Sequence, residues 1–242
     1  MQYIFAAVLR NTGLFARVDL FGMNMGITGM KRNPGKELEM TAYIWDLDGT
    51  LLDSYGVITA AAVKAAAEAG VNDPESAVYR AVKIGSVSGY LKDVSARTGE
   101  PFEQLLARYR THAHETDDLI TLIDGAAETL ERLRNAGAVH FVYTHRGKSS
   151  RPVLARLGIL DCFREVVTSE YGFSPKPSGE GVRYLLEKYG LDPRETWYVG
   201  DRTIDVLCAK DAGVHALLFL QPGICVSATG REDRIISDLR EL

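Results

Sequence analysis

From Thr41 onward, short apolar runs alternate with amphipathic stretches, and this alternation limits the possible folds more than any other feature of the chain. Short runs that are apolar throughout suit strands covered on both faces, and parallel strands need crossovers long enough to hold a helix. The runs are AYIWD (42–46), AVHFVYT (138–144), REVVT (164–168), TWYVGD (196–201) and VHALLFL (214–220). Between them, GAAETLERLRNAG (125–137) and SGEGVRYLLEKYG (178–190) place apolar residues at helical spacing and close on glycine. Ser178 is the expected N-cap of the second helix. The pattern predicts an α/β fold with a mostly parallel sheet covered by helices.

One interval breaks the alternation. From about Tyr55 to Thr121 no strand is evident, and four helical stretches follow one another: VITAAAVKAAAEAG, PESAVYRAVKI, VSGYLKDVSART and PFEQLLARYRTHAHE. A single crossover needs one helix, so residues 55–121 are expected to form a small helical domain inserted into an α/β core of residues 41–54 and 122–242. Residues 1–40 differ again, because all five methionines lie there. With its glycines and KRNPGKELE, this segment is expected to be an irregular leader. It is either foreign to a native protein starting at Met40 or a weakly ordered native extension.

The charge balance excludes several partner classes. A net charge of −4 with no run of five like charges gives neither a nucleic-acid footprint nor a polybasic membrane patch, so a small soluble partner is expected. Cys162, Cys208 and Cys225 are widely spaced and form no CxxC pair, which argues against a zinc site or a disulfide framework and fits a reducing cytoplasm. No apolar stretch approaches the roughly 20 residues of a membrane span. YIFAAVL (3–9) lacks the basic flank and cleavage site of a signal peptide. Oligomeric state is not legible in the sequence.

In an open parallel sheet, ligands bind beyond the carboxyl ends of the strands. The first strand ends in Asp46 and Asp48, the second in Thr144, and the fourth in GDRTID with Asp201 and Asp205. Lys176 lies between the third and fourth, in SPKPSGEG. Three strand ends and one loop therefore bring carboxylates, a hydroxyl and an ammonium to one rim.

Taken together, DLDGTLLDS, the strand-end Thr144, Lys176 in PKP and GDRTID resemble, in order, the four motifs of the haloacid dehalogenase-like superfamily. The resemblance covers residues 41 to about 223, and it implies a Rossmann-like core with an α-helical cap, similar to the phosphoglycolate phosphatase-like branch. It further implies a Mg²⁺-dependent phosphatase acting on a small phosphorylated metabolite, with phosphoglycolate the best single substrate. Asp46 would be the nucleophile that forms an aspartyl-phosphate, and Asp48 the acid that protonates the leaving oxygen and then the base that activates water. Asp46, the Asp48 carbonyl and Asp201 would hold the metal, with Asp205 in support. Thr144 would hold phosphoryl oxygens, and Lys176 would balance charge on Asp46 and the transferring group. The glycine-bearing segment KIGSVSGYL supplies the candidates for reading the substrate, namely Lys83, Gly85, Ser86 and Tyr90.

One departure, one histidine pair and three rival readings accompany this resemblance. His145 stands where many relatives have asparagine or serine, and His112 and His114 have metal-like spacing in a stretch better read as a surface helix. A sugar-phosphate mutase would use the same Asp46 and metal, although such mutases tend to carry a residue other than Thr50 at that position. Dehalogenase chemistry is disfavoured by the acid at Asp48. A non-catalytic protein that binds phosphorylated metabolites is the reading from outside enzymology, and phosphate release with and without Mg²⁺ separates it from the others.

Overall fold

A computed structural model describes residues 40–242, so the expectation of a leader falls, apart from Met40, outside the described residues. In chain order the elements begin with β1 (Ala42–Trp45), the two-residue β2 (Leu52–Asp53), α1 (Tyr55–Glu68), α2 (Glu75–Arg80), α3 (Val87–Thr98) and α4 (Phe102–Glu115). They continue with β3 (Thr121–Leu122), α5 (Ala126–Asn135), β4 (Val139–Tyr143), α6 (Ser150–Arg156), β5 (Phe163–Val167) and α7 (Glu180–Tyr189). The last four are β6 (Thr196–Gly200), α8 (Thr203–Ala212), β7 (His215–Phe219) and β8 (Arg234–Ile236).

Six strands form one sheet in the order β5-β4-β1-β6-β7-β8, every pair parallel. The five predicted strands are all present. The sixth, β8, was missed because its three residues, RII, are too few to show a pattern. Because the chain runs outward from β1 through β4 to β5 and then crosses to β6 on the other side, loops diverge at the carboxyl ends beside β1, which is where such sheets form a crevice.

Side chains alternate across β1 and build two layers of core. Tyr43 and Trp45 pack with Leu130 and Leu133 of α5 and with Val153 and Leu154 of α6. Ala42 and Ile44 face the opposite way, toward Val182 and Leu185 of α7 and Val206 and Ala209 of α8. At 25 cal/mol per Å², each fully buried aliphatic side chain contributes roughly 1.5–3 kcal/mol, so both faces must stay covered. One polar pair lies inside the first layer. The Trp45 indole N–H donates to His140 Nδ1 (3.1 Å), and His140 Nε2 pairs with the Leu130 carbonyl (3.1 Å).

α7 begins later than expected. Its N-cap is Gly179 rather than Ser178, and the Ser178 hydroxyl accepts a bond from the Glu180 N–H at 3.3 Å. A side chain at 179 would run into the backbone of Ala212 at the end of α8, so close helix packing selects glycine there over a better cap.

Helices α1–α4 share a separate apolar cluster that includes Ile58, Ala62, Ala66, Val78, Leu91, Val94 and Leu105. The chain leaves for these helices and returns from them through the antiparallel pair β2–β3. After α2 the predicted helical stretch changes winding, and Ala81–Gly85 form one π-helical turn. Such turns rotate the side chains that follow, and they recur at functional sites. Among the described residues, no helix is long and apolar enough to cross a membrane.

Candidate active site

The site begins where β1 ends. Past Trp45 the backbone stays tied to the sheet for one more residue, the Asp46 N–H donating to the Val199 carbonyl (2.9 Å), and then it turns. The Leu47 carbonyl accepts from the N–H groups of Thr50, Leu51 and Leu52 at 3.1, 3.0 and 2.9 Å. Gly49 has φ +82°, in the left-handed region, and the space a Cβ would need is filled by the Asp201 carboxylate, the Tyr55 ring and the Lys83 ammonium. Only glycine meets both conditions.

Asp46, Asp201 and Asp205 converge, each with an oxygen within 4.8 Å of the others, and all three are buried. Asp46 extends from β1, Asp201 follows β6, and Asp205 lies in the first turn of α8. Two ammonium groups reach them. Lys176 donates to Asp46 Oδ1 (2.8 Å), to Asp205 Oδ1 (2.6 Å) and to the Tyr198 hydroxyl (3.1 Å). Lys83 pairs with Asp201 Oδ2, and the Thr50 hydroxyl donates to Asp201 Oδ1 at 3.3 Å.

Asp46 Oδ2 is buried with no hydrogen-bond partner. Burial pushes the Asp46 carboxyl above the usual carboxylate range, and although Lys176 opposes this, Asp205 and Asp201 add to it. Asp201 is likewise pushed up by burial, against the pull of Lys83. Burial acts upward on Asp205 as well, but Lys176 and Arg202 outweigh it and hold that carboxyl low. Asp205 also accepts from the Arg202 N–H (3.0 Å), tying its carboxylate to the N-cap residue of α8.

Asp48 faces a different set of groups. Its carboxylate accepts from the Ser54 hydroxyl (2.7 Å) and from Arg146 Nη2 and Nε (2.9 and 3.1 Å to Oδ1). Burial alone would raise this carboxyl, but the charge and hydrogen bonds of Arg146, helped by Ser54, bring it below the ordinary value. Arg146 also reaches Asp117 Oδ1 (2.9 Å), in the segment that returns from α4. Two carboxylates only two residues apart therefore have opposite environments.

Thr144 lies at the end of β4, beside β1, with its N–H on the Val167 carbonyl (3.0 Å) and its hydroxyl accepting from the Arg146 N–H (3.1 Å). His145 Nε2 accepts from the Lys176 N–H (2.9 Å), so this ring supports the loop that carries the lysine. Of the four residues considered for reading the substrate, Lys83 alone is seen at the acid cluster. Gly85 is exposed, and the Ser86 hydroxyl caps α3 by accepting from the Gly89 N–H (2.9 Å). Tyr90 is buried among the helices, with its hydroxyl on Asp73 (3.2 Å). His112 pairs with Glu68 (2.7 Å), while His114 lies 3.6 Å from Asp117, so the two histidines do not converge on one point.

The sequence reading assigned no role to Arg146, Ser54 or Tyr198. Arg146 had one usable signal, its place two residues after a strand-end threonine. Ser54 and Tyr198 had none, since their hydroxyls count only once the turns bring them to Asp48 and Lys176.

The three-acid cluster fits a hard divalent cation. It offers oxygen donors from three buried carboxylates, and a cation would relieve the repulsion that resists joint ionisation of Asp46 and Asp201. The sequence reading placed Asp46, the Asp48 backbone carbonyl and Asp201 around the metal, with Asp205 in support; Asp205 is the third carboxylate of the cluster, and the Asp48 side chain faces Arg146 and Ser54.

The family model for haloacid dehalogenase-like hydrolases matches residues 43–219. The pyrophosphatase PpaX of Bacillus velezensis is 30% identical over 178 residues, covering 72% of this chain and 80% of that protein. A phosphoglycolate phosphatase of Vibrio vulnificus is 29% identical over 194 residues, covering 74% and 82% respectively. Among solved structures, a predicted phosphoglycolate phosphatase from Haemophilus somnus superposes with a TM-score of 0.74 at 23% identity, over 85% of this chain and 97% of that one, a likeness of fold. A hydrolase from Streptococcus pneumoniae is 34% identical with a TM-score of 0.55, over 75% and 94%. The chain thus belongs to the haloacid dehalogenase-like hydrolase family, whose model runs from the β1 acids past GDRTID.

Proposed function

We propose that the protein is a Mg²⁺-dependent phosphatase that hydrolyses a small phosphorylated metabolite through an aspartyl-phosphate on Asp46. The observation that supports it most is the Asp46 carboxylate, with one oxygen steadied by Lys176 and the other buried and unpartnered. That second oxygen is free to attack phosphorus.

Asp46, Asp201 and the Asp48 carbonyl would hold the metal, with Asp205 beside them. When bound, Mg²⁺ would offset the charge of the carboxylates and of the phosphoryl oxygens. Asp46 forms a bond to phosphorus as the ester P–O bond breaks, and Asp48 gives its proton to the departing oxygen. Water then takes the place of the alcohol, loses a proton to Asp48 and releases phosphate from Asp46. One residue serves both steps because leaving oxygen and entering water occupy the same side of phosphorus. Before giving a proton, Asp48 has to be freed from Arg146, which also grips Asp117 on the return from the helices. Thr144 holds phosphoryl oxygens, and Lys176 opposes the burial that favours the neutral form of Asp46 and keeps its carboxylate aimed.

Helices α1–α4 act in this reading as a cap over the strand ends, excluding water during phosphoryl transfer. Phosphoglycolate is the leading substrate, in line with the relative from Vibrio vulnificus, and the kinship with PpaX makes pyrophosphate the first competitor. The place of action is the cytoplasm. The test is phosphate release from phosphoglycolate, pyrophosphate and a panel of sugar phosphates, with Mg²⁺ and after chelation. One preferred ester with activity only in Mg²⁺ is expected. Full activity after chelation, or transfer of phosphate to a sugar with no release, overturns the proposal.

A further inference from the structure

Two ammonium groups enter the acid cluster, and they are held very differently. Lys176 has two carboxylates and a tyrosine hydroxyl, which is full satisfaction for its three donors. Lys83 has one carboxylate, Asp201, and the face of Tyr55, with its Nζ 3.9 Å from the ring centroid. Its side chain is 1% exposed, so its charge is removed from water while having a single ionic partner. A buried ammonium in that position is tolerated only because Asp201 faces it.

Lys83 comes from the π-helical turn Ala81–Gly85, far in sequence from the strands, and reaches the acids through the space left by the missing side chain of Gly49. It is therefore a tether between the inserted helices and the group that the proposed function assigns to the metal. A divalent ion on Asp201 would stand within a few ångströms of this ammonium, and like charges at that separation in a buried site repel strongly. The three carboxylates already face Lys176 and the neighbouring Arg202, so a divalent ion would leave no carboxylate charge over for Lys83.

We propose that Lys83 is an internal competitor for the metal: its ammonium and a divalent cation are alternative partners of Asp201, so that metal loading releases the Ala81–Gly85 turn from the acids. This inference rests on the metal reading above and adds to it a coupling between metal occupancy and the position of the helices. The coupling is reciprocal, so whatever draws Lys83 away must also strengthen metal binding.

The test is Mg²⁺ titration calorimetry on the full chain at pH 8, with folding of each variant checked by circular dichroism. Lys83→Met removes the competing charge while keeping the stem, and it is expected to bind Mg²⁺ about tenfold more tightly, within the usual 5- to 150-fold span of coupled sites. Lys83→Arg keeps the charge and is expected to remain within about threefold of the parent, well below that change. Lys83→Gln carries the same expectation as Lys83→Met and replaces it if the latter does not fold. Hydrogen exchange supplies a second readout: Mg²⁺ should speed exchange across residues 81–86 in the parent and have no effect there in Lys83→Met. An unchanged or weaker Mg²⁺ affinity in the neutral variants, or unaltered exchange in the parent, overturns the inference. Asp201→Asn separates the two levels. If it loses Mg²⁺ binding while the neutral Lys83 variants match the parent, only the competition fails. If it binds Mg²⁺ like the parent, the metal assignment fails and the inference with it.

Discussion

Replacing Asp48 by asparagine separates the two halves of the proposed reaction. The variant keeps the size of the side chain and an oxygen that can accept from Ser54 and Arg146, while Arg146 retains Asp117. The fold should therefore survive, and what disappears is the proton. General acid–base catalysis contributes about 10²- to 10⁴-fold, which at 1.36 kcal/mol per decade is roughly 2.7–5.4 kcal/mol of barrier in each step that needs it. An ester of a strongly acidic phenol leaves without a proton, so its transfer to Asp46 should be nearly unaffected. Attack of water on the aspartyl-phosphate still lacks its base and should slow by the full factor. Rapid quench should then show a burst of phenol close to one equivalent, followed by slow turnover, with phosphate recoverable on Asp46. Asp46→Ala should show neither phase. Parent-like steady turnover by Asp48→Asn, or label on another residue, would refute this division of labour.

Two further expectations follow from the packing. Gly49→Ala places a methyl group against Asp201, Tyr55 and Lys83 at a φ of +82°, and it should destabilise the fold by at least about 1 kcal/mol in urea unfolding while impairing Mg²⁺ binding; an unchanged midpoint would count against the turn. His140 gives the pH dependence. Burial pulls its pKa down to about 4, and a proton on Nδ1 would also cost the bond from the Trp45 N–H, whereas the unfolded chain takes up that proton near 6.5. Its contribution is complete above pH 6.5 and is lost as pH falls toward 4, at about 1.4 kcal/mol per pH unit. Urea unfolding at pH 8 and 5 should thus differ by roughly 2 kcal/mol more in the parent than in His140→Gln, and equal differences would reject the assignment.

The strands and helices of the core were legible because burial on both faces writes apolar runs, and cover by helices writes a 3.6-residue period. The acids at 46, 48, 201 and 205 were legible for a similar reason: strand ends in a parallel sheet converge, so polar residues at those ends are brought together whatever lies between. β8 was not legible, since three residues carry no period. Neither was the start of α7, which is set by how closely α8 approaches Gly179.

What tertiary structure alone decided is the partner of each charge. The sequence places Asp46 and Asp48 two residues apart, and outside the motif resemblance nothing in their local pattern separates them. The fold gives Asp46 to Lys176, from a loop 130 residues later, and Asp48 to Arg146, 98 residues later. It also brings Lys83 out of the inserted helices to Asp201, 118 residues away, although nothing in KIGSVSGYL marks that lysine for burial. Local pattern reports which residues face inward. Ion pairs between buried groups depend on distances of a few ångströms between segments far apart in the chain, and those distances exist only once both core layers and the helical cluster have packed.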